Sequence, residues 1–272
     1  MQLISFNPFR TIGIPNTQYV KPEKMLEEEV KIKAANWLLF PEYWQVNSLV
    51  YGWHKKIFPS INTYHLGHDK IEMTRLFQAI SPANVPRTLI LRNDKGVAAK
   101  ILEEFSYPFI AKVVRSSEGR GVSLIENKGD LDQYLKENRI LYLQEYLPVN
   151  RDLRVVLIGK RVFSAYWRIG REGNFRNNLA QGGEISYKNI PDGALELVEG
   201  IARQAGINYA GFDLAIIGNH FYLLEFNVFF GNRGLAGKSK EISNCIYRYL
   251  LENAGPEDTI GPPEKGKLIP SA

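Results

Sequence analysis

Two short apolar runs late in the chain have the alternation typical of a β-hairpin. The runs FDLAII and FYLLEFN flank Gly218-Asn219, a dipeptide that favours a tight turn, and predict strands near residues 212–217 and 221–227. Three polar side chains interrupt the apolar pattern: Asp213, Glu225 and Asn227. A carboxylate in a buried strand is costly unless it is neutralised, so these side chains predict a metal, a cationic partner or an open cleft.

The register of this hairpin decides whether the three side chains meet. Glu225 and Asn227 share one face of their strand because they are two residues apart. Asp213 lies opposite Glu225 if the loop holds three residues, from Gly218 to His220, whereas a two-residue loop turns it to the other face. We predict the three-residue loop because it also aligns an apolar back face, formed by Phe212, Leu214, Ile216, Tyr222, Leu224 and Phe226.

The three oxygen-bearing side chains suit a magnesium site. Mg²⁺ prefers carboxylate and amide oxygens and keeps its other positions for water and phosphate oxygens. An exposed hairpin face with ordinary polar residues is the alternative that the spacing leaves open.

Composition narrows the class of protein. With 272 residues, 44% of them hydrophobic and 23% charged, we expect a soluble globular protein with two or three lobes. No apolar run approaches the roughly 20 residues of a membrane span, and the N-terminus does not resemble a signal peptide, so we expect a cytoplasmic protein without a membrane partner. The single cysteine, Cys245, excludes an internal disulfide and a cysteine-based zinc site.

The net charge of +5 fits either nucleic acid or an anionic small-molecule site. The basic residues are dispersed, and no nucleic-acid-binding module is recognisable. We therefore predict local cationic pockets and no nucleic-acid partner.

A lysine and a glycine-rich turn form the first candidate phosphate site. Lys112 lies inside the predicted strand FIAKVV and is followed by RSSEGRGV, which contains Ser117, Gly119 and Gly121. Backbone N–H groups of such a turn can cover phosphate oxygens while the lysine supplies charge, although no GxxxxGK[ST] motif is present. A surface lysine beside an ordinary turn is the alternative.

Two further stretches are candidates for ligand contacts. The strand ILYLQEYL leaves its sheet at Leu147-Pro148, which suits the presentation of backbone groups to an adenine edge, or a plain hinge. Asp152 and Arg154 share a strand face that Arg168 can join from the returning strand, giving either a cationic surface for an anionic substrate or surface ion pairs. The polar stretch GNFRNNLAQGG predicts a loop that faces a ligand.

The order of these motifs resembles the ATP-grasp superfamily. The strand lysine, glycine turn, QEY, DLR, EGNFRNNLAQGG and the Asp213, Glu225 and Asn227 set together resemble the RimK-like carboxylate–amine ligases, relatives of the ribosomal-protein glutamate ligases and the lysine-biosynthesis ligases. The resemblance covers about residues 66–250. It implies an α/β (α+β) ATP-grasp fold that holds the nucleotide between two α+β lobes.

The resemblance also implies a division of the chain. It places an abbreviated N-terminal lobe at 1–67, a small glycine-loop lobe at 68–147 and a metal-binding lobe at 148–254. A flexible tail follows at 255–272.

Site roles are implied in the same way. The resemblance implies that phosphates contact Lys70, Lys112 and the glycine loop of Ser117, Gly119 and Gly121. It implies that adenine contacts Glu145, Tyr146 and Leu147 and that Asp152 lies near the nucleotide. The residues implied to reach the phosphates or the acceptor are Arg176, Asn177 and Asn178. Arg168 and Arg176 are the implied catalytic cations. Two Mg²⁺ ions, with Mn²⁺ as an alternative, are implied at Asp213, Glu225 and Asn227.

The implied reaction is ADP-forming ligation of an amino acid, with glutamate as one candidate, to a small-molecule or peptide carboxylate through an acylphosphate. A small-molecule kinase and a nucleotide-binding regulatory protein are the alternatives, and a homo-oligomer is left open. The chain departs from the family pattern at VFFGNRG, usually Ser-Pro-Gly-like, and at Gln181, often basic. Both departures fall near the implied acceptor side, so they bear on the identity of the substrate and leave the use of ATP unchanged.

Overall fold

The computed structural model describes residues 1–114, 121–170 and 184–255. The chain divides into two compact units, one formed by Met1–Ile61 with the described residues from Gly237 onward and the other by Asn62–Ala236. The division at residues 67, 147 and 254 stays a prediction. None of the helices in the described ranges has the length and apolar character that a bilayer crossing requires.

The first unit contains a four-stranded parallel sheet of order β2-β1-β3-β4. Its elements are β1 Leu3–Ser5, α1 Pro8–Thr11, β2 Thr17–Tyr19, α2 Glu29–Ala34, β3 Trp37–Leu39, α3 Tyr43–Asn47 with a π-helical turn Ser48–Gly52, β4 Ile57–Phe58, and the C-terminal helix Ser239–Glu252. The C-terminal helix packs on the sheet, with the Tyr249 ring 5.5 Å from that of Phe58. Ser243 Oγ donates to the Ile12 carbonyl at 2.6 Å.

The second unit contains two antiparallel sheets. The first has the order β5-β8-β6-β7 and the second β11-β10-β9-β12-β13. The elements are α4 Ile61–Leu66, α5 Lys70–Ile80, β5 Thr88–Arg92, α6 Val97–Glu104, β6 Phe109–Lys112, β7 Val122–Ile125, α7 Lys128–Glu137, β8 Ile140–Glu145, β9 Arg151–Ile158, β10 Arg161–Ile169, β11 Glu184–Ser186, α8 Asp192–Ala205, β12 Tyr209–Ile217 and β13 His220–Asn227.

Strand β9 lies inside the five-stranded sheet and is buried from Asp152 to Ile158. Because side chains alternate along a strand, Asp152 and Arg154 share one face of β9 and Leu153 and Val155 share the other. The turn Gly159-Lys160 joins β9 to β10, since Ile158 pairs with Arg161. Two charged side chains are thus held on an interior strand, which requires neutralising partners on the neighbouring strands.

Candidate functional site

The β12–β13 hairpin brings Asp213 opposite Glu225, as predicted, but by a different route. The turn holds only Gly218 and Asn219 because Ile217 pairs with His220, so the predicted three-residue loop is wrong. A β-bulge in β13 between the pairs Asp213–Glu225 and Leu214–Leu223 inserts one residue and restores the register.

The bulge also changes the predicted apolar face of the hairpin. Leu223 is 1% exposed, whereas Leu224 is only half-buried, so the prediction for Leu224 is wrong. Phe212, Leu214 and Phe226 are buried as predicted. The extra residue therefore exchanges the roles of two adjacent leucines and leaves the polar pair in place.

Four charged side chains form a connected network across β10, β9 and β12, here called the arginine–aspartate cluster: Asp152, Arg154, Arg168 and Asp213. Arg168 lies opposite Asp152 and Arg154 lies opposite Asp213 in the strand pairing. Arg168 Nε donates to Asp152 Oδ1 at 2.5 Å. Arg154 donates to both Asp213 oxygens, from Nε at 2.5 Å and from Nη2 at 3.0 Å, and Arg168 Nη2 lies 3.0 Å from Asp213 Oδ2.

Burial and pairing act against each other on the acids of the cluster. Burial pushes the pKa of Asp213 upward, but the charges and hydrogen bonds of Arg154 and Arg168 outweigh it and hold that pKa below its usual value. Burial raises the pKa of Asp152 to about 6, although Arg168 opposes the shift. Asp213 is therefore a fixed anion at neutral pH, enclosed by two arginines.

Glu225 and Asn227 occupy a more open position than Asp213. The Glu225 side chain is 29% exposed and that of Asp213 is 7% exposed. Asn227 Nδ2 donates to Glu225 Oε1 at 3.2 Å, and Lys70 Nζ lies 3.9 Å from Glu225 Oε2. Glu225 thus has a cation on one side and an amide on the other, at an accessible edge of the cluster.

The donor set fits Mg²⁺ chemically. Asp213 Oδ1 accepts from Arg154 Nε, and a carboxylate oxygen that accepts one hydrogen bond keeps a second lone pair for a metal. Within the described ranges no group of three or more His, Cys, Asp or Glu side chains is arranged to hold a metal ion. The predicted set contains only two carboxylates, so its third ligand is the amide of Asn227.

Lys112 is the last residue of β6, which ends before the predicted strand FIAKVV does, and its burial excludes the alternative of a surface lysine. Its Nζ donates to Gln144 Oε1 at 2.7 Å and lies 5.5 Å from the centre of the Tyr142 ring. Burial lowers the pKa of Lys112 to about 8, with Glu225 and Asp213 opposing the shift and Lys70 adding to it. The Gln144 amide is neutral and does not balance the charge of the buried amine, which an anionic phosphate would do.

Some polar groups at the strand end predicted to contact adenine already have hydrogen-bond partners in the protein. The Glu145 N–H donates to the Arg87 carbonyl at 2.9 Å, and Glu145 Oε1 accepts from the Arg87 N–H at 2.6 Å. The Leu147 carbonyl accepts from the Val149 N–H at 2.8 Å, and Tyr146 is half-buried. An adenine contact here can use the Glu145 carbonyl and the Leu147 N–H.

The remaining predicted site residues fall mostly outside the described residues: Ser117, Gly119, Arg176, Asn177, Asn178 and Gln181. Gly121 is described and has φ +76, in the left-handed region that glycine tolerates. Its carbonyl accepts from the Val113 N–H at 2.7 Å.

The stretch that follows the hairpin packs on Gly211 and Tyr166, two residues that adjoin Arg154. A Cβ at Gly211 would lie 3.0 Å from Arg154 Nη1 and 2.9 Å from Phe230 Cβ. A Cβ at Gly234 would lie 2.2 Å from Cζ of Tyr166, which is opposite Arg154 in the strand pairing. Gly234, the last residue of the divergent VFFGNRG sequence, therefore has no room for a side chain beside Tyr166.

Comparisons with known proteins agree on one family. A model of the RimK-like ATP-grasp domain matches residues 67–251. A probable alpha-L-glutamate ligase of Alkalilimnicola ehrlichii is 30% identical over 154 residues, which are 54% of this chain and 51% of the relative. The ribosomal protein bS6–L-glutamate ligase of Escherichia fergusonii is 29% identical over 160 residues, 55% of this chain and 52% of the relative.

A solved structure shows the same fold. The RimK domain protein ATP-grasp from Sphaerobacter thermophilus superposes with a TM-score of 0.71 at 16% identity, covering 92% of this chain and 100% of the other. The chain spans about half the length of the two relatives named above.

Proposed function

The chain belongs to the RimK-like ATP-grasp family, and from this premise we propose that it is an ATP-dependent, ADP-forming carboxylate–amine ligase. Family and ATP-grasp fold are confirmed as the sequence predicted. The observation that carries the proposal is the proximity of the buried Lys112, the buried Arg154, the half-buried Arg168 and an accessible Glu225–Asn227 pair in one unit. Such an arrangement suits the polyanionic phosphates of ATP.

The proposed reaction has two steps. An acceptor carboxylate oxygen attacks the γ-phosphorus and ADP leaves, giving an acylphosphate; an amine nitrogen then attacks the acyl carbon, and phosphate leaves with a carboxylate oxygen. Both reactants of the first step are anionic, so the protein's main contribution is positive charge from Lys70, Lys112 and Arg168, with Arg176 proposed to join them. Bound Mg²⁺ would neutralise phosphate charge further.

The proposed roles of individual residues follow their contacts. Lys112 and Lys70 bind phosphate oxygens, and Asp213, Glu225 and Asn227 hold Mg²⁺, for which Mn²⁺ is the alternative. The Glu145–Leu147 backbone binds adenine. Because Asp152 is bonded to Arg168, its role is to hold that arginine near the nucleotide.

ATP affinity is expected to decrease as the pH rises above about 8. Burial lowers the pKa of Lys112 to about 8, and bound phosphates favour its charged form, so the neutral amine must take up a proton for ATP to bind. The affinity is flat below this pKa and falls by up to about tenfold per pH unit above it. Calorimetry from about pH 7.5 to about pH 9.5, in buffers of different ionisation enthalpy, measures both effects.

Lys112→Arg is the matched control for this titration. The guanidinium stays charged throughout this pH range, so the ATP affinity of the variant should not depend on pH. A flat pH profile in the unchanged protein would contradict the assignment of Lys112 to the phosphates.

The substrates are proposed from the relatives. The names of the two relatives specify L-glutamate as the amino acid, and one of them specifies a ribosomal protein as the acceptor. We infer glutamate as the amine substrate and a peptide or small-molecule carboxylate as the acceptor. We propose that the VFFGNRG stretch, whose Gly234 packs on Tyr166, helps to distinguish the acceptor.

ADP release tests the proposed function. The protein is incubated with ATP, Mg²⁺, pooled amino acids and pooled carboxylates, with each pool omitted in turn, and products are weighed by mass spectrometry. ADP formation that requires both pools and yields an amide supports the ligase. A phosphorylated product would instead identify a kinase, and ATP binding without turnover would identify a regulatory protein.

A further inference from the structure

The free edge of the β12–β13 hairpin is covered by the segment that carries Lys70. Strand β13 is the edge strand of its sheet, and an edge strand presents backbone groups that need partners outside the sheet. Asn84 Nδ2 donates to the Phe221 carbonyl at 2.8 Å, and His220 Nε2 lies 2.7 Å from the Ala83 carbonyl oxygen. The turn after α5 is thereby fixed to the start of β13.

At the other end of β13 the partner is a sulfur atom. The Phe226 N–H donates to Met73 Sδ at 3.1 Å, and Phe226 lies between the two proposed ligands Glu225 and Asn227. Met73 is 4% exposed and Phe226 1% exposed, so water does not supply this bond. The Phe77 ring, one helical turn further along α5, lies 6.2 Å from the Phe226 ring.

The same helix brings a cation to the same strand. Helix α5 begins at Lys70, whose Nζ lies 3.9 Å from Glu225 Oε2. Met73 is three residues further on, so the two side chains project from the same side of the helix toward consecutive residues of β13. The sulfur contact and the lysine contact therefore fix one geometry between α5 and the bulged strand.

We propose that Met73 is a positioning residue whose sulfur fixes the backbone between Glu225 and Asn227. The bulge beside Glu225 removes regular pairing there, so an additional bond to the next amide restricts the direction of both ligands. A thioether is a weak acceptor, but a buried N–H left without any partner loses its hydration with nothing in exchange. The inference rests on the proposed function for the metal and ATP.

Norleucine provides a shape-preserving test, because it replaces sulfur by a methylene group. The chain has three methionines, of which Met1 and Met25 belong to the other unit. In a Met25→Leu background, norleucine at Met73 removes the acceptor and selenomethionine retains one. The measurements are the hydrogen exchange of the Phe226 amide by NMR and the ATP dissociation constant with and without Mg²⁺.

Norleucine should accelerate exchange at Phe226 and weaken Mg²⁺-dependent ATP binding about tenfold, as for other groups that orient metal ligands. Affinity without Mg²⁺ should stay within about twofold, and selenomethionine should behave like methionine. Unchanged exchange at Phe226 would overturn the contact. Equal affinities for the norleucine and methionine proteins, or an equal loss with and without Mg²⁺, would overturn the positioning role.

The experiments distinguish a failure of the proposed function from a failure of the proposed Met73 contact. If the unaltered protein does not bind ATP with Mg²⁺, the proposed function fails. The exchange rate of Phe226 then still decides whether the Met73 sulfur holds the strand.

Discussion

Asp213→Asn is expected to abolish ADP formation and to lower the free energy of unfolding by about 3–5 kcal/mol, the usual cost of breaking a buried ion pair. Asp213 accepts from Arg154 at both oxygens and contacts Arg168 at Oδ2. Asparagine offers one acceptor oxygen and no charge, so the buried Arg154 guanidinium loses its counter-ion and Arg168 keeps only Asp152. Urea unfolding and ADP release measure the two effects on the same preparation.

Glu225→Gln is the matched control for this prediction. Glu225 contacts Asn227 and Lys70 but is partly exposed, so its neutralisation should change the free energy of unfolding by no more than about 0.5–1 kcal/mol. ADP formation should fall as it does in Asp213→Asn, because each variant loses a proposed ligand. An Asp213→Asn protein as stable as the original would contradict the arginine–aspartate cluster.

Lys112→Met is expected to have opposite effects on binding and stability: ATP binding is lost, and the free energy of unfolding rises by about 2 kcal/mol at pH 7. The pKa of Lys112 falls from 10.5 to about 8, which corresponds to roughly 3 kcal/mol against the charged amine in the folded state. Loss of the hydrogen bond to Gln144 offsets about 1 kcal/mol of this gain.

The sign of the pH dependence separates this cause from simple repacking. A lowered lysine pKa penalises the fold fully below pH 8, and the penalty fades as the pH rises toward 10.5. The stabilisation by Lys112→Met should therefore shrink between pH 7 and about pH 10 in urea unfolding experiments. Lys100→Met, at an exposed position of α6, should leave stability within about 0.5 kcal/mol at both values. A destabilised Lys112→Met protein would contradict the account.

The hairpin shows what alternation in a sequence can determine. Polar residues in two apolar runs were enough to predict that Asp213 faces Glu225, and the strand pairing confirms it. The bulge was not predictable, because Leu223 and Leu224 are adjacent and identical, and either one completes an apolar face. Only packing in the folded protein selects Leu223 for the core.

The partners of the buried acidic residues could not be predicted from the sequence. The sequence leaves open whether Arg154 belongs to a cationic surface or to an ion pair, and its partner Asp213 is 59 residues away on a neighbouring strand. The register between two strands that no short turn connects is set by tertiary packing, which a single sequence does not display. The Met73 contact is more remote still, at 153 residues from Phe226, and methionine gives no signal of an acceptor role.

Isotope transfer tests the proposed ligase most directly. Acceptor carboxylates are exchanged with ¹⁸O-water, and the phosphate released with ATP, Mg²⁺ and glutamate is analysed by mass spectrometry. An acylphosphate requires that one carboxylate oxygen leave with phosphate, so the account predicts one ¹⁸O atom in each phosphate released during amide formation. Unlabelled phosphate accompanying the amide would contradict it.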